Sequence, residues 1–229
     1  MNIALILAAG SGTRMNNELP KQFVVINNKP LFLYSVETFN NNPDIDMIII
    51  ATNESYVDHV KELTGDYKKV VAVIKGGETR QASVYNGLKQ IEKLIDSNND
   101  VILIHDSARP LVSDRIISEN VRACIEFGAV DTVVQASDTI INSKDNETIN
   151  EILDRKEIYQ SQTPQTFKFS VIKKAHERAL QDQVPNVTDD CKLAMHFGVD
   201  VHFVKGDKLN FKVTTPEDLE MFKALAKRV

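Results

Sequence analysis

The 229-residue chain has no tryptophan and only two cysteines, Cys124 and Cys191. Neither thiol stands in a CxxC pair or beside a metal-spaced histidine. A disulfide framework and a zinc site are therefore not indicated, and two lone thiols suit a reducing, cytoplasmic compartment. Positive charge is not in excess: 27 Lys and Arg face 32 Asp and Glu, a net charge of −5. No global basic field is available to draw nucleic acid or an anionic membrane, so any phosphate ligand needs a local basic cluster. Apolar runs long enough to span a bilayer are missing, and no membrane insertion is expected. Met1-Asn2-Ile3-Ala4 runs directly into an apolar strand pattern without a charged leader, so no signal peptide is expected. Internal repeats and low-complexity tracts are also lacking.

What is present is ordinary for a globular α/β protein, with 42% hydrophobic and 26% charged residues. Short Val- and Ile-rich runs predict buried strands over Ile3 to Ala8, Met47 to Ala51, Val70 to Ile74 and Val101 to Ile104. Helical spacing of apolar residues marks Arg80 to Ile95 and Asp114 to Phe127 between and after them. This β-α-β-α rhythm argues for a mostly parallel sheet covered on both faces, within a single domain over residues 1–229. The rhythm breaks over residues 137–163. There, two extended polar runs flank Ser143-Lys144-Asp145-Asn146 and predict a protruding β-hairpin arm. Helices are expected over Phe167 to Gln181 and Thr188 to Phe197, then strands at Val201 to Val204 and Asn210 to Val213. A closing helix from Pro216 to Lys227 has Thr215 as its N-cap.

The strongest local signal is Leu7-Ala8-Ala9-Gly10-Ser11-Gly12-Thr13-Arg14-Met15, followed by Pro20-Lys21-Gln22-Phe23. Glycines at the end of a first strand let backbone N–H groups converge on a phosphate chain, and Arg14 and Lys21 add positive charge. The loop lacks the Gly-Lys-Ser/Thr ending of a P-loop. It also lacks the third glycine of a dinucleotide fingerprint, because Met15 stands there, and Ala51-Thr52 replaces the expected acid. Four further motifs follow: Gly76-Gly77-Glu78-Thr79-Arg80-Gln81-Ala82-Ser83, His105-Asp106-Ser107-Ala108-Arg109-Pro110, Thr163-Pro164-Gln165 and Asn210-Phe211-Lys212-Val213-Thr214. A lysine inside an otherwise apolar stretch, as at Lys212, is costly without a counter-charge and points to function. His105 has no partner histidine in spacing and reads as a packed strand-end residue.

Taken in order, these motifs resemble the CTP:polyol-phosphate cytidylyltransferases, whose members use methylerythritol 4-phosphate or ribitol 5-phosphate. The resemblance implies a three-layer, Rossmann-like sheet of the nucleotide-diphospho-sugar transferase type. It implies Mg²⁺-dependent transfer of CMP from CTP to a polyol phosphate. It also implies that Leu7, Ala8, Ala9, Gly10, Gly12 and Thr13 bind the nucleotide, with Gly77, Glu78, Arg80 and Ser83 near base and ribose. Arg14 and Lys21 would hold the triphosphate, with Lys212 at the reacting phosphate. Asp106 would stand beside the magnesium and the sugar. Arg109, Thr163, Thr188 and Thr214 would shape the polyol-phosphate site. The arm would cross to a second subunit of a homodimer, taking Thr139 and Arg155 to the partner's acceptor. Segments 131–140, 159–167 and 188–192 look more like the ribitol enzymes. Ribitol 5-phosphate is accordingly the expected acceptor, with a role in CDP-ribitol-dependent polymers such as teichoic acid. The methylerythritol enzyme of isoprenoid synthesis is the alternative. A sugar-1-phosphate nucleotidyltransferase using UTP or another nucleotide, and a non-catalytic nucleotide-sensing or scaffold module, are rivals from outside the family.

Overall fold

The computed structural model describes residues 1–10, 20–184 and 187–226. Strand β1 (Asn2–Ala8) leads to a small hairpin of β2 (Val25–Ile26) and β3 (Lys29–Pro30). Asn27 and Asn28 both take positive φ there, 49° and 62°, as a tight two-residue turn demands. Then come α1 (Leu31–Asn41), β4 (Met47–Thr52), α2 (Val57–Leu63), β5 (Val70–Lys75), α3 (Arg80–Ile91), β6 (Val101–Asp106) and α4 (Asp114–Phe127). Gly128, with φ of +85°, ends α4 in the left-handed region. The chain continues through β7 (Ala129–Gln135), β8 (Ile141–Asn142), β9 (Glu151–Ile152), β10 (Tyr159–Lys168), α5 (Phe169–Gln181), α6 (Asp190–His196), β11 (His202–Lys205) and α7 (Pro216–Leu225).

Seven strands form one sheet in the order β11-β7-β10-β6-β1-β4-β5. All neighbours run parallel except β10, which is antiparallel to both β6 and β7. Alternate side chains of the central strands feed two separate cores. Ala4, Ile6, Ile48, Ile50 and Leu103 pack against Phe32, Val36 and Phe39 of α1 and Ile117 and Val121 of α4. Ile3, Leu5, Ile49, Ile102 and Ile104 point the other way, onto Val84, Leu88 and Ile91 of α3 and Ile172 of α5. The period of two along each strand thus builds three layers, with helices on both faces of the sheet.

Several expected boundaries change. The helix from Arg80 stops at Ile91 rather than Ile95, the final strand is His202–Lys205, and α5 starts at Phe169. Tyr159–Lys168, expected as arm end, turn and helix start, is one ten-residue strand in mid-sheet. Pro164 cannot donate to a ladder, and the pairing with β7 shifts between Ser161 and Gln165, which disguises the strand in the sequence. Ala129–Gln135, which carries Asp131 among apolar residues, is a buried strand that the sequence reading did not identify. Asn210 to Val213 is not a strand. Its Val213 N–H donates to the Ala108 carbonyl at 2.8 Å, and the Asn210 side chain donates to the Thr163 carbonyl at 2.9 Å. Those bonds tie it to the loop after β6 and to one carbonyl of β10, without forming a ladder. The helix expected from Thr188 starts at Asp190, with Asp189 as its N-cap. In α7, Thr215 caps as expected and forms a capping box with Asp218.

The arm's ladder has just two pairs, Ile141 with Ile152 and Asn142 with Glu151. Its tip is organised by Asp145, which accepts from the N–H groups of Glu147 and Thr148 and from the Thr148 hydroxyl.

Candidate active site

A cleft of about 490 Å³ opens at the carboxyl ends of β1 and β6, the rim where open parallel sheets bind ligands. Leu7, Ala9 and Gly10 line one side, and Gly77, Glu78, Arg80 and Ser83 another. Asp106, Lys21, Lys212 and Thr214, also named from the sequence, line the same cleft. Lys21 and Lys212 are far apart in the chain, yet they share one cavity. Lys21 Nζ also donates to the Val213 carbonyl at 2.9 Å, tying the two segments together.

The charge arrangement centres on Asp106. Its Oδ2 accepts from Lys212 Nζ at 2.6 Å and its Oδ1 from Arg80 Nε at 3.3 Å. Burial opposes the carboxylate, but Arg80, Lys212 and Arg109 outweigh it and hold Asp106 well below the usual carboxylate range. Burial likewise disfavours the Arg80 guanidinium, and Asp190 and Asp106 together raise its pKa above the ordinary value.

Two glycines bring the α3 loop close. A Cβ on Gly77 would lie 2.4 Å from the Ala82 Cβ, and one on Gly76 would lie 2.9 Å from the Ala9 Cβ. The Gly77 N–H donates to Ser83 Oγ at 2.9 Å, and that hydroxyl donates to the Thr79 carbonyl, also at 2.9 Å. Ser83 therefore shapes the loop from within. Thr79 caps α3 by accepting from the Ala82 N–H.

The remaining expected residues divide into several groups. Gly12, Thr13 and Arg14 fall outside the described residues. Ala8 is buried, and its carbonyl accepts from Gln22 Nε2 at 2.8 Å and Thr52 Oγ1 at 3.2 Å. Thr163 is buried and supports β6: its Oγ1 accepts from the Asp106 N–H and lies 3.1 Å from His105 Nδ1. Arg109 Nη1 donates to the Asn210 carbonyl at 2.8 Å. Thr214 lines the cleft, but its hydroxyl donates to Asp218 at 2.8 Å. Thr139, Arg155 and Thr188 are exposed and are not among the residues lining the cleft.

His105 is fully buried against Phe39, their rings 5.1 Å apart. Because a carbonyl can only accept, Nε2 donates to the Arg109 carbonyl at 3.2 Å. Burial pulls its pKa down to about 4, so it packs as a neutral imidazole. Gln22, Asn53, Thr79, Ser107 and Ala108 also line the cleft but were not among the expected site residues. Asn53 directly follows β4, and the strand-end rule alone could have flagged it. Among the described residues, no three His, Cys, Asp or Glu side chains gather as a metal cage. Nor is any helix among them long and apolar enough to cross a membrane.

Comparison with known proteins gives a consistent picture. The family profile of IspD, 2-C-methyl-D-erythritol 4-phosphate cytidylyltransferase, matches residues 2–228. A 4-diphosphocytidyl-2C-methyl-D-erythritol synthase from Anaerococcus prevotii superposes with a TM-score of 0.85 at 28% identity, covering 99% of this chain and 96% of that one. The 2-C-methyl-D-erythritol 4-phosphate cytidylyltransferase of Francisella tularensis does so at 0.80 and 31%, covering 97% and 98%. The enzyme of that name from Thermus thermophilus gives 0.78 and 26%, with coverage of 97% and 98%.

Proposed function

The chain belongs to the IspD family of cytidylyltransferases, and from that premise we propose that it transfers CMP from CTP to 2-C-methyl-D-erythritol 4-phosphate, releasing pyrophosphate. The ribitol 5-phosphate expectation, and the teichoic-acid role with it, gives way. The family profile runs through the very segments that suggested ribitol, and it is the profile of methylerythritol enzymes. The observation that carries the catalytic reading is the meeting of Lys21, Arg80, Asp106 and Lys212 around one cleft beside the glycine-rich strand end.

A phosphate oxygen of the acceptor attacks the α-phosphorus of CTP, and pyrophosphate leaves in line. A phosphate monoester is largely dianionic at neutral pH, with a second pKa of about 6, so no general base is required. The protein's task is to position two anions and to meet the charge that spreads over the α-phosphate and leaving group. Lys21 is assigned to the triphosphate and Lys212 to the α-phosphate, where it must exchange Asp106 for substrate oxygen. Asp106 fits magnesium as the protein's hard oxygen donor, since this ion commonly takes one carboxylate and fills its shell with phosphate and water. Bound there, the ion would neutralise phosphate charge. The exposure of Thr139 and Arg155 on the arm, away from their own cleft, supports a homodimer in which each arm serves the partner's acceptor site.

Pyrophosphate release with CTP, measured side by side on the two acceptors, tests this reading. Faster turnover with 2-C-methyl-D-erythritol 4-phosphate is expected. Faster turnover with ribitol 5-phosphate overturns the acceptor. Saturable CTP binding with no release on either overturns the reaction.

A further inference from the structure

Asp190 opens α6 with its side chain only 2% exposed, and it is not among the residues lining the cleft. A carboxylate that deep is costly unless donors meet it. Here Arg80 Nη1 donates to Oδ2, and His176, itself buried, brings Nε2 to 3.0 Å from Oδ1. The Asp190 N–H donates to Gln165 Oε1 at 3.1 Å, while Gln165 Nε2 donates to Asp189 at 2.7 Å. The first turn of α6 is thereby fastened to β10, and Asp190 presents one oxygen to the base of α3. Arg80 turns its other edge, Nε, to Asp106, whose second oxygen takes Lys212. Asp190, Arg80, Asp106 and Lys212 form a row of alternating sign, and the reaction described above uses only the last three.

We propose that Asp190, backed by His176 and Gln165, is a positioning residue for the nucleotide site. It occupies one edge of the Arg80 fork, so that Arg80 stays along the cleft wall and shares Asp106 with Lys212. Without that charge the guanidinium keeps its hydrogen bond to Asp106 and can turn both donors on it, because the fork suits bidentate pairing. Lys212 then loses its partner's geometry before CTP arrives. A lysine at position 80 could not bridge both carboxylates in the same way, since an ammonium lacks the planar fork.

This inference rests on the proposed reaction, and a double-mutant cycle of Asp190→Asn with Arg80→Lys tests it. The readouts are kcat/KM for CTP, taken well below each variant's melting temperature, and CTP affinity by calorimetry. Asp190→Asn is expected to lower kcat/KM about 10- to 50-fold in the parent, yet less than about 2-fold beside Arg80→Lys. A merely structural role would lower the melting temperature but leave kcat/KM of the folded enzyme unchanged, or remove the same factor in both backgrounds. Either result overturns the proposal. If the parent releases no pyrophosphate, the proposed reaction has failed, and the same cycle read in CTP affinity decides the inference.

Discussion

Strands β6 and β7 lie on either side of β10, and each carries a buried aspartate held in the opposite way. Asp106 on β6 meets two cations, Arg80 and Lys212, and its pKa falls despite burial. Asp131 on β7 accepts from neutral donors, Ser161 Oγ at 3.0 Å and Gln165 Nε2 at 3.2 Å. Burial pushes it up to about 6, and the charge of Asp189 adds to that. The difference teaches that depth alone does not set the state of a carboxylate. What counts is whether cations hydrogen-bond it directly or only neutral donors do. The first arrangement keeps an anion and two cations poised at the candidate cleft. The second holds a carboxylate inside the wall at a cost in stability.

The largest break in this comparison comes from removing a cation. Lys212→Ala is expected to stay folded and to lose roughly 10²–10³ in turnover, about 3–4 kcal/mol of transition-state stabilisation. Pyrophosphate release beside a thermal melt checks both halves, and near-normal turnover removes Lys212 from the α-phosphate. On the other strand the sign reverses. Asp131→Asn abolishes a charge that burial disfavours, and is expected to stabilise the fold by up to about 3 kcal/mol at pH 7. Denaturant titration reads this directly, and a loss of stability contradicts it.

The pH profile sharpens the contrast. Folded Asp131 binds its proton more tightly than the unfolded value of 3.8 allows, so its contribution favours folding as pH drops from 6 towards 3.8. Folded His105 resists its proton, so its contribution is present above 6.5 and is lost as pH falls towards 4. The two oppose each other over one window. In the parent the two contributions have opposite signs. In Asp131→Asn the histidine effect stands exposed, and stability is expected to fall about 3 kcal/mol further than in the parent between about pH 6.5 and 4. Parallel pH–stability curves for the two proteins would refute that opposition.

The smallest test uses a third carboxylate. Asp218 accepts from the N–H groups of Thr214 and Thr215 at 2.8 and 2.9 Å and from the Thr214 hydroxyl. Its modest burial opposes ionisation, but the neutral donors prevail and its pKa falls. Dipoles suffice there because little solvent was given up. Asp218→Ala is expected to cost about 1 kcal/mol, as for other helix caps, in a chemical melt. A change within error would mean the capping box is ornamental.

Legibility followed the range of the physical cause. The alternation in Ile3 to Ala8 and the helical stripe of Asp114 to Phe127 are local, and both elements appear nearly where expected. The glycine-rich strand end, Lys21 and Lys212 stood out because glycine freedom and isolated charge in apolar surroundings are visible one segment at a time. Strand β10 escaped because Pro164 interrupts a pattern that only its neighbours β6 and β7 make sense of. Asp190 lies inside the helix expected over Thr188 to Phe197, with nothing in the sequence to single it out. Nothing in the sequence says that Arg80, 110 positions earlier, lies against it.

By itself, then, the chain's sequence determined the alternation of strands and helices, the cap at Thr215, and the residue types able to meet phosphate. These depend on backbone freedom, periodicity and charge within a few residues. Only the tertiary structure decided which charges face one another: that Asp106 holds Lys212 and Arg80 while Asp131 holds neutral donors, and that Thr163 and Ser83 support the walls from inside. The physical reason is that desolvation and Coulomb interaction depend on distance through space. Spacing along the chain does not encode that distance.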